Sequence, residues 1–427
     1  MEVEVRLFAS LREYLPGVKT GEGTRLALPE GATVADLFAA LAVPAEEVRQ
    51  TFVNGRVVEP QRVLQEGDRV GIFPPVGGGS GEVPDTSAIL AIDVGAGTQD
   101  ILLYREGIPI ENCVQLILPS PTVILAGKVA EATSRGRPLF LVGHVMGGGA
   151  VSGAVRAHLE AGLDVYATPA AAATLYDDPA RVRAMGVKIV DSQPAGTESV
   201  TMRDVDLPAL GAALAPFGVA LPATVAVAVQ DHGYAPHMSN RLFRFEHWRR
   251  FVAEGGDIKN LIYAEPPSYL TRMRAVREDV PGAYVMDTGA AAIWGALADE
   301  EVAGHRDEGL TVVNVGNAHT VVALLRGSRV EGLLEHHTGA LTSAKLADYV
   351  SRLRRGEVRE GEVFDDGGHG SCYAPSFQPS EGFAYVAVTG PNRGLAANLG
   401  YHFAVPYGDM MLAGCFGLVA ALRAKVG

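Results

Sequence analysis

The sequence predicts a small α+β domain followed by a larger α/β domain with two lobes. In residues 1–79, short apolar strands and one helix follow the order β-β-α-β-β. Two apolar hairpins with glycine-containing tips lie far apart, at residues 90–104 and 311–326, and the second repeats the shape of the first. Between and after them, apolar strands run into polar turns and then helices, the alternation expected of α/β domains.

The small domain is predicted to be a ubiquitin-like β-grasp. Residues 3–7 alternate apolar and charged side chains, which indicates a half-buried strand, and residues 24–28 form a second strand. Thr33 is placed to cap a helix, with Asp36 three residues later. Asn54-Gly55 predicts a tight hairpin turn, and residues 69–73 supply the last strand.

The end of this segment carries its most specific pattern, Phe73-Pro74-Pro75-Val76-Gly77-Gly78-Gly79. Together with Val53-Asn54-Gly55 and Gly67-Asp68, it resembles the MoaD/ThiS sulfur-carrier family over roughly the first 79 residues. The resemblance implies that Gly78 and Gly79 form a tail whose carboxylate is adenylated and converted to a thiocarboxylate. It also implies a partner, either an adenylating E1-like enzyme or a molybdopterin-synthase-like subunit.

The chain departs from that family after Gly79, because Ser80 and Gly81 follow it and leave no free carboxylate. Either the chain is cut after Gly79, or the domain is an uncharged docking module. Residues 80–87 are then expected to be a linker, and a purely flexible connection is the simplest alternative.

The first hairpin suggests phosphate binding. Its tip concentrates polar and small residues, namely Asp93, Gly95, Gly97, Thr98 and Asp100. Glycines let a backbone approach an anion closely, and exposed amides can donate to its oxygens. Asp93 is the candidate ligand for Mg²⁺, and Thr98 can bond a phosphate oxygen. The alternative is an ordinary hairpin whose glycines serve only the turn.

In the second hairpin, Asn314 stands where Asp93 does and Gly316 where Gly95 does; Asn317 and Thr320 complete the candidate cofactor contacts. Paired hairpins of this kind resemble the actin-like ATPase fold of sugar kinases and Hsp70-type proteins, from about Ser87 to the end. The resemblance implies lobes at residues 88–234 and 235–427, with ATP and Mg²⁺ between them. Because Asn314 replaces an expected acid, binding is expected and fast hydrolysis is not.

Further candidates follow other strands. Asp231 and His232 follow a buried strand and are candidates for a catalytic base, although Asp231 could instead be a turn acid that caps the next helix. In actin-like folds a glycine turn late in the second lobe holds the adenosine, and the resemblance assigns Gly390 and Asn392 to that turn. The glycines at residues 147–149 either cradle an anion or permit close packing.

Composition excludes several classes. A net charge of −13 argues against nonspecific nucleic-acid binding and against anionic membrane surfaces. No apolar run reaches the roughly 20 residues of a membrane helix, and the N-terminus shows no signal segment, so a cytoplasmic protein is expected.

The three cysteines, Cys113, Cys372 and Cys415, fit no metal or redox spacing. Of these, Cys372 is expected in an exposed loop. The C-terminal region also resembles an uncharacterised family labelled "pyruvate formate-lyase activating", on residues 93–100 and 408–415. Radical chemistry is rejected, because it needs a cysteine triplet that this chain lacks.

The sequence thus predicts a sulfur-carrier-like domain joined to a nucleotide-binding domain. Its expected role is sulfur transfer or maturation of a molybdenum or tungsten pterin cofactor. If the large domain is an enzyme, a slow ATPase or an ATP-dependent activator is expected. The alternative is a noncatalytic scaffold whose β-grasp docks the partner.

Overall fold

The computed structural model describes residues 1–7, 11, 14–15, 23–44, 48, 50–73, 86–359, 361–379 and 381–426. The chain divides into two compact units, Met1–Val83 and Pro84–Gly427. The predicted tail glycines, Gly78 and Gly79, lie outside the described residues. Among the described helices, none has the length and apolar character needed to cross a lipid bilayer.

The first unit is a β-grasp, as the sequence predicted. Its five-stranded sheet has the order β2-β1-β5-β3-β4, with β1 and β5 parallel and the other neighbours antiparallel. Thr33 and Asp36 form the predicted capping box at the start of the helix. Asn54 and Gly55 have φ values of 51° and 79°, which the tight hairpin turn requires. The elements are β1 (Glu2–Leu7), β2 (Thr24–Ala27), α1 (Val34–Ala40), β3 (Gln50–Val53), β4 (Arg56–Val58) and β5 (Arg69–Phe73).

The second unit contains two six-stranded sheets. The first, in the order β14-β15-β13-β6-β7-β8, forms the first lobe. Its strands are β6 (Ala88–Val94), β7 (Thr98–Arg105), β8 (Val114–Pro119), β13 (Thr224–Val229), β14 (Ile262–Tyr263) and β15 (Tyr284–Met286). Since β14 and β15 pair into this sheet, the predicted end of the first lobe at residue 234 is too early.

The second sheet, in the order β19-β18-β17-β16-β20-β21, forms the second lobe. Its strands are β16 (Leu310–Val315), β17 (His319–Arg326), β18 (Arg329–His337), β19 (Gly370–Tyr373), β20 (Val386–Thr389) and β21 (His402–Phe403). The two sheets share one plan. Three consecutive strands pair antiparallel, β6 to β8 in the first sheet and β16 to β18 in the second, and two later strands run parallel to the first of the three. These later strands are β13 and β15 in the first sheet and β20 and β21 in the second. This duplication is the architecture of the actin-like ATPase fold.

A smaller layer is inserted between β8 and β13. Its parallel sheet has the order β11-β10-β9-β12, from β9 (Leu139–Gly143), β10 (Val165–Ala167), β11 (Lys188–Ile189) and β12 (Glu198–Met202). Helices cover it and have their own apolar cluster with the sheet. They are α2 (Pro121–Ser134), α3 (Gly149–Glu160), α4 (Pro169–Ala172) and α5 (Pro179–Ala184). The next helix, α6 (Leu207–Leu214), instead packs its apolar side chains into the cluster of the first six-stranded sheet.

The remaining helices pack around and between the two larger sheets. They are α7 (Asn240–Ala253), α8 (Thr271–Asp279), α9 (Thr288–Ala296), α10 (Glu300–Gly304), α11 (Ser343–Arg354), α12 (Glu362–Asp365) and α13 (Ala413–Val426). The largest apolar cluster joins both sheets through α9 and α13. The backbones of these two helices are in direct contact. At Gly417, an added Cβ would overlap the carbonyl oxygen of Ala291.

The expectation of an exposed Cys372 is wrong. The residue lies in β19, which pairs with β18, and its side chain is buried. Burial raises the pKa of the Cys372 thiol to about 12, so it is not a thiolate at neutral pH. The surrounding glycines and polar residues suggested a loop, but strand pairing with a distant segment decides the local structure.

Candidate functional site

A cavity of about 370 Å³ lies between the tips of the two hairpins in the second unit. It is bounded by the ends of β6, β13, β16 and β20, by residues 145–149 and by the segment before α13. Strand ends are where ligands collect in α/β sheets. Predicted site residues brought together on its wall are Asp93, Gly95, Thr98, Asp100, Asp231, His232, Asn314, Gly316, Asn317 and Gly390.

The two hairpin tips have the same turn geometry. The amide of Gly95 donates to the Thr98 carbonyl at 2.8 Å, and the amide of Gly316 donates to the His319 carbonyl at 3.0 Å. Asn314 occupies the position of Asp93 in the register, as the sequence comparison of the two hairpins predicted. The lobes therefore present two related turns to one cavity.

Three predicted cofactor contacts do not line the cavity. Thr320 is completely buried, and its hydroxyl pairs with the Thr338 hydroxyl at 2.9 Å. The side-chain amide of Asn392 donates to the Gly316 carbonyl at 3.1 Å, so it stabilises the second tip. Gly97 lies beside the opposite tip, where an added Cβ would stand 3.4 Å from Asn317 Nδ2. These residues shape the tips instead of facing a ligand.

Two carboxylates face each other at the base of the first hairpin. Asp93 and Asp100 are direct partners in the register of β6 and β7, so their side chains share a face. Within the described residues, the buried Oδ1 atom of each has no hydrogen-bond partner. Burial raises the pKa of Asp100 to about 7, and burial followed by nearby carboxylates raises the pKa of Asp93 well above its usual value. The unpartnered Oδ1 atoms would suit a hard cation such as Mg²⁺, whose charge would favour the ionised carboxylates over the neutral forms that burial favours.

Asp231 is not available as a general base. Its Oδ1 accepts the Gly233 amide at 2.8 Å, and its Oδ2 accepts the Met273 amide at 2.9 Å. Met273 lies in the first turn of α8, so Asp231 caps that helix. Burial raises the pKa of Asp231 to about 6. The structure therefore favours a capping role for Asp231, although the capped helix is α8 and not α7, the next one in the chain.

The glycines at residues 147–149 pack closely as well as facing the cavity. An added Cβ on Gly148 would stand 2.9 Å from the Thr174 carbonyl oxygen. The Thr122 hydroxyl accepts the Val151 amide at 3.0 Å, and Asp204 accepts the Gly147 amide at 3.2 Å. Two amides at the start of α3 are thus already satisfied by the protein, so close packing explains these glycines.

A buried ion cluster, two of whose members line the cavity, corresponds to no pattern in the sequence. Arg244 on α7 donates to Asp287 at the end of β15, with 2.7 and 3.1 Å contacts, and to both carboxylate oxygens of Glu335 on β18 at 2.9 Å. The side chains of Arg244, Asp287 and Glu335 are only 4%, 9% and 0% exposed. The cluster ties the first lobe to the second. Arg272, bonded to Asp204 at 2.7 and 2.9 Å, forms another missed pair on the cavity wall.

Histidine side chains from several strands also meet at the cavity. His232 follows β13, His319 begins β17, and His369 directly precedes β19. Ring centroids lie 5.4 Å apart for His232 and His319, and 4.8 Å apart for His319 and His369. Burial, with the Arg244 charge, lowers the pKa of His232 to about 3 and of His369 to about 2, and it holds the pKa of His319 well below its usual value. All three rings are therefore neutral at pH 7. Because these three histidines are far apart in the sequence, no sequence motif predicts that they lie together.

Family profiles match both units. A profile described as "Putative pyruvate format-lyase activating enzyme (DUF1786)" matches residues 146–395, and the ThiS family matches residues 5–79. The chain matches none of the curated proteins with which it was compared.

Several solved structures are similar to part of this chain. SAMP1 from Haloferax volcanii is 26% identical over 18% of this chain and 100% of its own, with a TM-score of 0.16. A Pyrococcus furiosus protein described as "Putative molybdopterin converting factor, subunit 1" is 35% identical over 18% of this chain and 98% of its own, with a TM-score of 0.15. The ethanolamine utilization protein EutJ from Carboxydothermus hydrogenoformans is 12% identical over 78% of this chain and 88% of its own, with a TM-score of 0.28.

Proposed function

The chain belongs to the DUF1786 family and carries a ThiS family domain at its N-terminus, and we propose that its larger unit binds ATP with Mg²⁺ between the two hairpin tips. The observation that carries this proposal is the pair of equivalent tips on one cavity. Duplicated turns of this kind can hold the phosphates of one nucleotide from both sides, because each presents backbone amides to the space between them.

The residues present fit this ligand. Asp93 and Asp100 would hold Mg²⁺ through their free Oδ1 atoms. The tips at Gly95 and Gly316 would receive the phosphates. Gly390, whose φ is +99°, would let the late turn approach the nucleoside closely. Mg²⁺ supplies charge neutralisation of the phosphate oxygens when it is bound.

We further propose that ATP turnover by the isolated chain is slow or absent. Transfer to water requires a group that positions the attacking water. Asn314 stands where an acid is expected, and both oxygens of Asp231 are committed to backbone amides. The larger unit would therefore act as a slow ATPase or an ATP-dependent activator that depends on a partner.

The ThiS family domain points to sulfur transfer or to maturation of a molybdenum or tungsten pterin cofactor. An adenylating E1-like enzyme or a molybdopterin-synthase-like subunit is the corresponding partner, and the cytoplasm is the corresponding compartment. The sulfur route requires cleavage after Gly79, since only a free carboxylate can be adenylated. Mass spectrometry of the natively expressed protein is expected to detect a fragment ending at Gly79. Only full-length chain, under conditions where cofactor synthesis is active, would favour the noncatalytic docking scaffold instead.

Calorimetric titration with ATP and Mg²⁺ tests the nucleotide proposal. The Asp93→Asn substitution should weaken binding at least about tenfold, because it removes an anionic oxygen from the cation. The variant should fold, since burial already favours the neutral form of this carboxyl. Glu160→Gln, an equal charge change at an exposed position, is the matched control. Equal affinities in wild type and Asp93→Asn would count against the proposal.

A further inference from the structure

Three imidazoles converge on one point beside the cavity. Each of His232, His319 and His369 offers a ring nitrogen, and these atoms lie within 4.8 Å of one another. His232 comes from the first lobe, whereas His319 and His369 come from the second. His232 and His319 also line the cavity, so one side of this group faces open space. None of the three histidines belongs to the first hairpin, and imidazole nitrogens differ in chemistry from its carboxylate pair.

Several of these ring nitrogens have no hydrogen-bond partner in the part of the chain that the structure describes. His319 Nε2 and both nitrogens of His369 are buried and make no hydrogen bond there. His369 is only 1% exposed. A buried polar atom without a partner is destabilising, so several in one place require a physical reason. We propose that His232, His319 and His369 bind a divalent transition-metal ion, with one coordination position open to the cavity.

The surroundings orient the rings for this role. His319 Nδ1 lies 2.5 Å from Gln230 Nε2. A half-turn of the Gln230 amide places its oxygen there, where it accepts Nδ1–H and leaves the Nε2 lone pair for the metal. The backbone amide of His369 donates to the Glu335 carbonyl at 2.9 Å, which fixes the residue at the start of β19. The Gln230 contact is the kind that holds a metal-binding imidazole in one tautomer, whereas the contact of His369 fixes the position of its backbone.

A fourth histidine ring, that of His337, lies next to the three proposed ligands. The centroid of His337 lies 4.9 Å from that of His319 and 4.8 Å from that of His369. Its Nδ1 is 2.6 Å from the Gly367 carbonyl oxygen and donates to it. His337 is therefore held by the backbone beside the site, and it is not one of the three converging ligands.

The ligand type selects the class of metal. Neutral imidazoles suit Zn²⁺, Fe²⁺, Co²⁺ and Ni²⁺, whereas Mg²⁺ takes oxygen ligands. Zinc–nitrogen bonds of about 2.0–2.1 Å place two ligands of a tetrahedral site about 3.4 Å apart. Ring rotations and shifts of about 1 Å would close the 4.8 Å spread. Three protein ligands and an open position are the arrangement in which a metal binds water or an anionic oxygen.

Cobalt titration tests the site without nucleotide or Mg²⁺. The full chain is stripped with a chelator and titrated with Co²⁺, whose visible absorption reports tetrahedral imidazole coordination; Zn²⁺ then competes for the site. One equivalent per chain is expected. His232→Gln and His319→Gln should each weaken Co²⁺ binding at least about tenfold. His337→Gln and the distant His402→Gln should retain binding, and thermal melting establishes that each variant is folded.

A second measurement, made on the wild-type protein, tests the metal site even if the ligand variants unfold. X-ray absorption of the zinc-loaded wild type should give imidazole nitrogens at about 2.0–2.1 Å. Absence of saturable Co²⁺ or Zn²⁺ binding would overturn the proposal and leave the rings as packing elements. Unchanged affinity in the folded His232→Gln and His319→Gln variants, or loss of binding only in His337→Gln, would overturn the assigned ligands. Because no nucleotide is present, these outcomes are independent of those of the ATP titration.

Discussion

Replacing Arg244 by methionine should destabilise the larger unit more than any exposed charge substitution on the same helix. The guanidinium donates to Asp287, to Glu335 and, at 2.8 Å, to the Asp231 carbonyl. Methionine keeps much of the apolar volume but none of the donors. The two carboxylates would remain buried, with 9% and 0% side-chain exposure, and without their counter-charge.

The size of the effect follows from this burial. Removing one partner of a buried ion pair costs about 3–5 kcal/mol, because the remaining charge stays desolvated. At about 2 °C per kcal/mol for a large domain, the melting temperature should fall by about 6–10 °C. Arg249→Met is the control, since Arg249 lies on the same helix, is 42% exposed and is 3.9 Å from Glu246. An exposed pair of this kind contributes about 0–1 kcal/mol.

Thermal and urea unfolding of both variants measure the difference. Adding Glu335→Gln to Arg244→Met should recover part of the loss, because it removes one uncompensated charge. A shift for Arg244→Met no larger than that for Arg249→Met would refute the view that this cluster joins the lobes. No recovery in the double variant would show that lost packing, and not charge, is the cause.

Two further predictions concern packing and pH. Gly417→Ala should lower the free energy of unfolding by about 1–3 kcal/mol, because its Cβ would overlap the Ala291 carbonyl and push α9 and α13 apart. The control is Gly153→Ala on α3, which has open space around it and should be neutral or stabilising in the same unfolding assay. An equal effect of the two would contradict the close helix contact. His247 lies 2.9 Å from the Tyr269 hydroxyl, and burial lowers its pKa to about 4 from 6.5. Its unfolded form therefore binds more protons between those values, so stability should fall as pH falls through that window, by up to about 1.4 kcal/mol per pH unit. His247→Gln should make the stability–pH curve shallower, and an unchanged slope would contradict this assignment.

Local patterns in the sequence predicted the β-grasp and the two hairpins well. The capping box at Thr33, the turn at Asn54-Gly55 and the alignment of Asn314 with Asp93 all depend on neighbouring residues. The end of the first lobe was placed too early because β15 joins its sheet by parallel pairing with β13, beyond a long intervening segment. No local pattern in the sequence predicts a pairing between strands so far apart in the chain.

The site was predicted only where its residues belong to one turn. The role of Asp231 depends on Met273, which lies 42 residues further along the chain. Similarly, the Arg244 cluster draws its carboxylates from two different sheets. A single charged residue on a polar, aromatic helix gives no indication that it is buried. These contacts follow from the fold and not from sequence spacing.

A crystal structure of the full chain with Mg²⁺ and a non-hydrolysable ATP analogue tests the central claim most directly. We expect the phosphates between residues 95–98 and 316–319, and the cation against Asp93 and Asp100. The nucleoside should lie by the turn at Gly390. Nucleotide bound away from the cavity, or a cavity without nucleotide in crystals grown at a saturating concentration of the analogue, would contradict the claim.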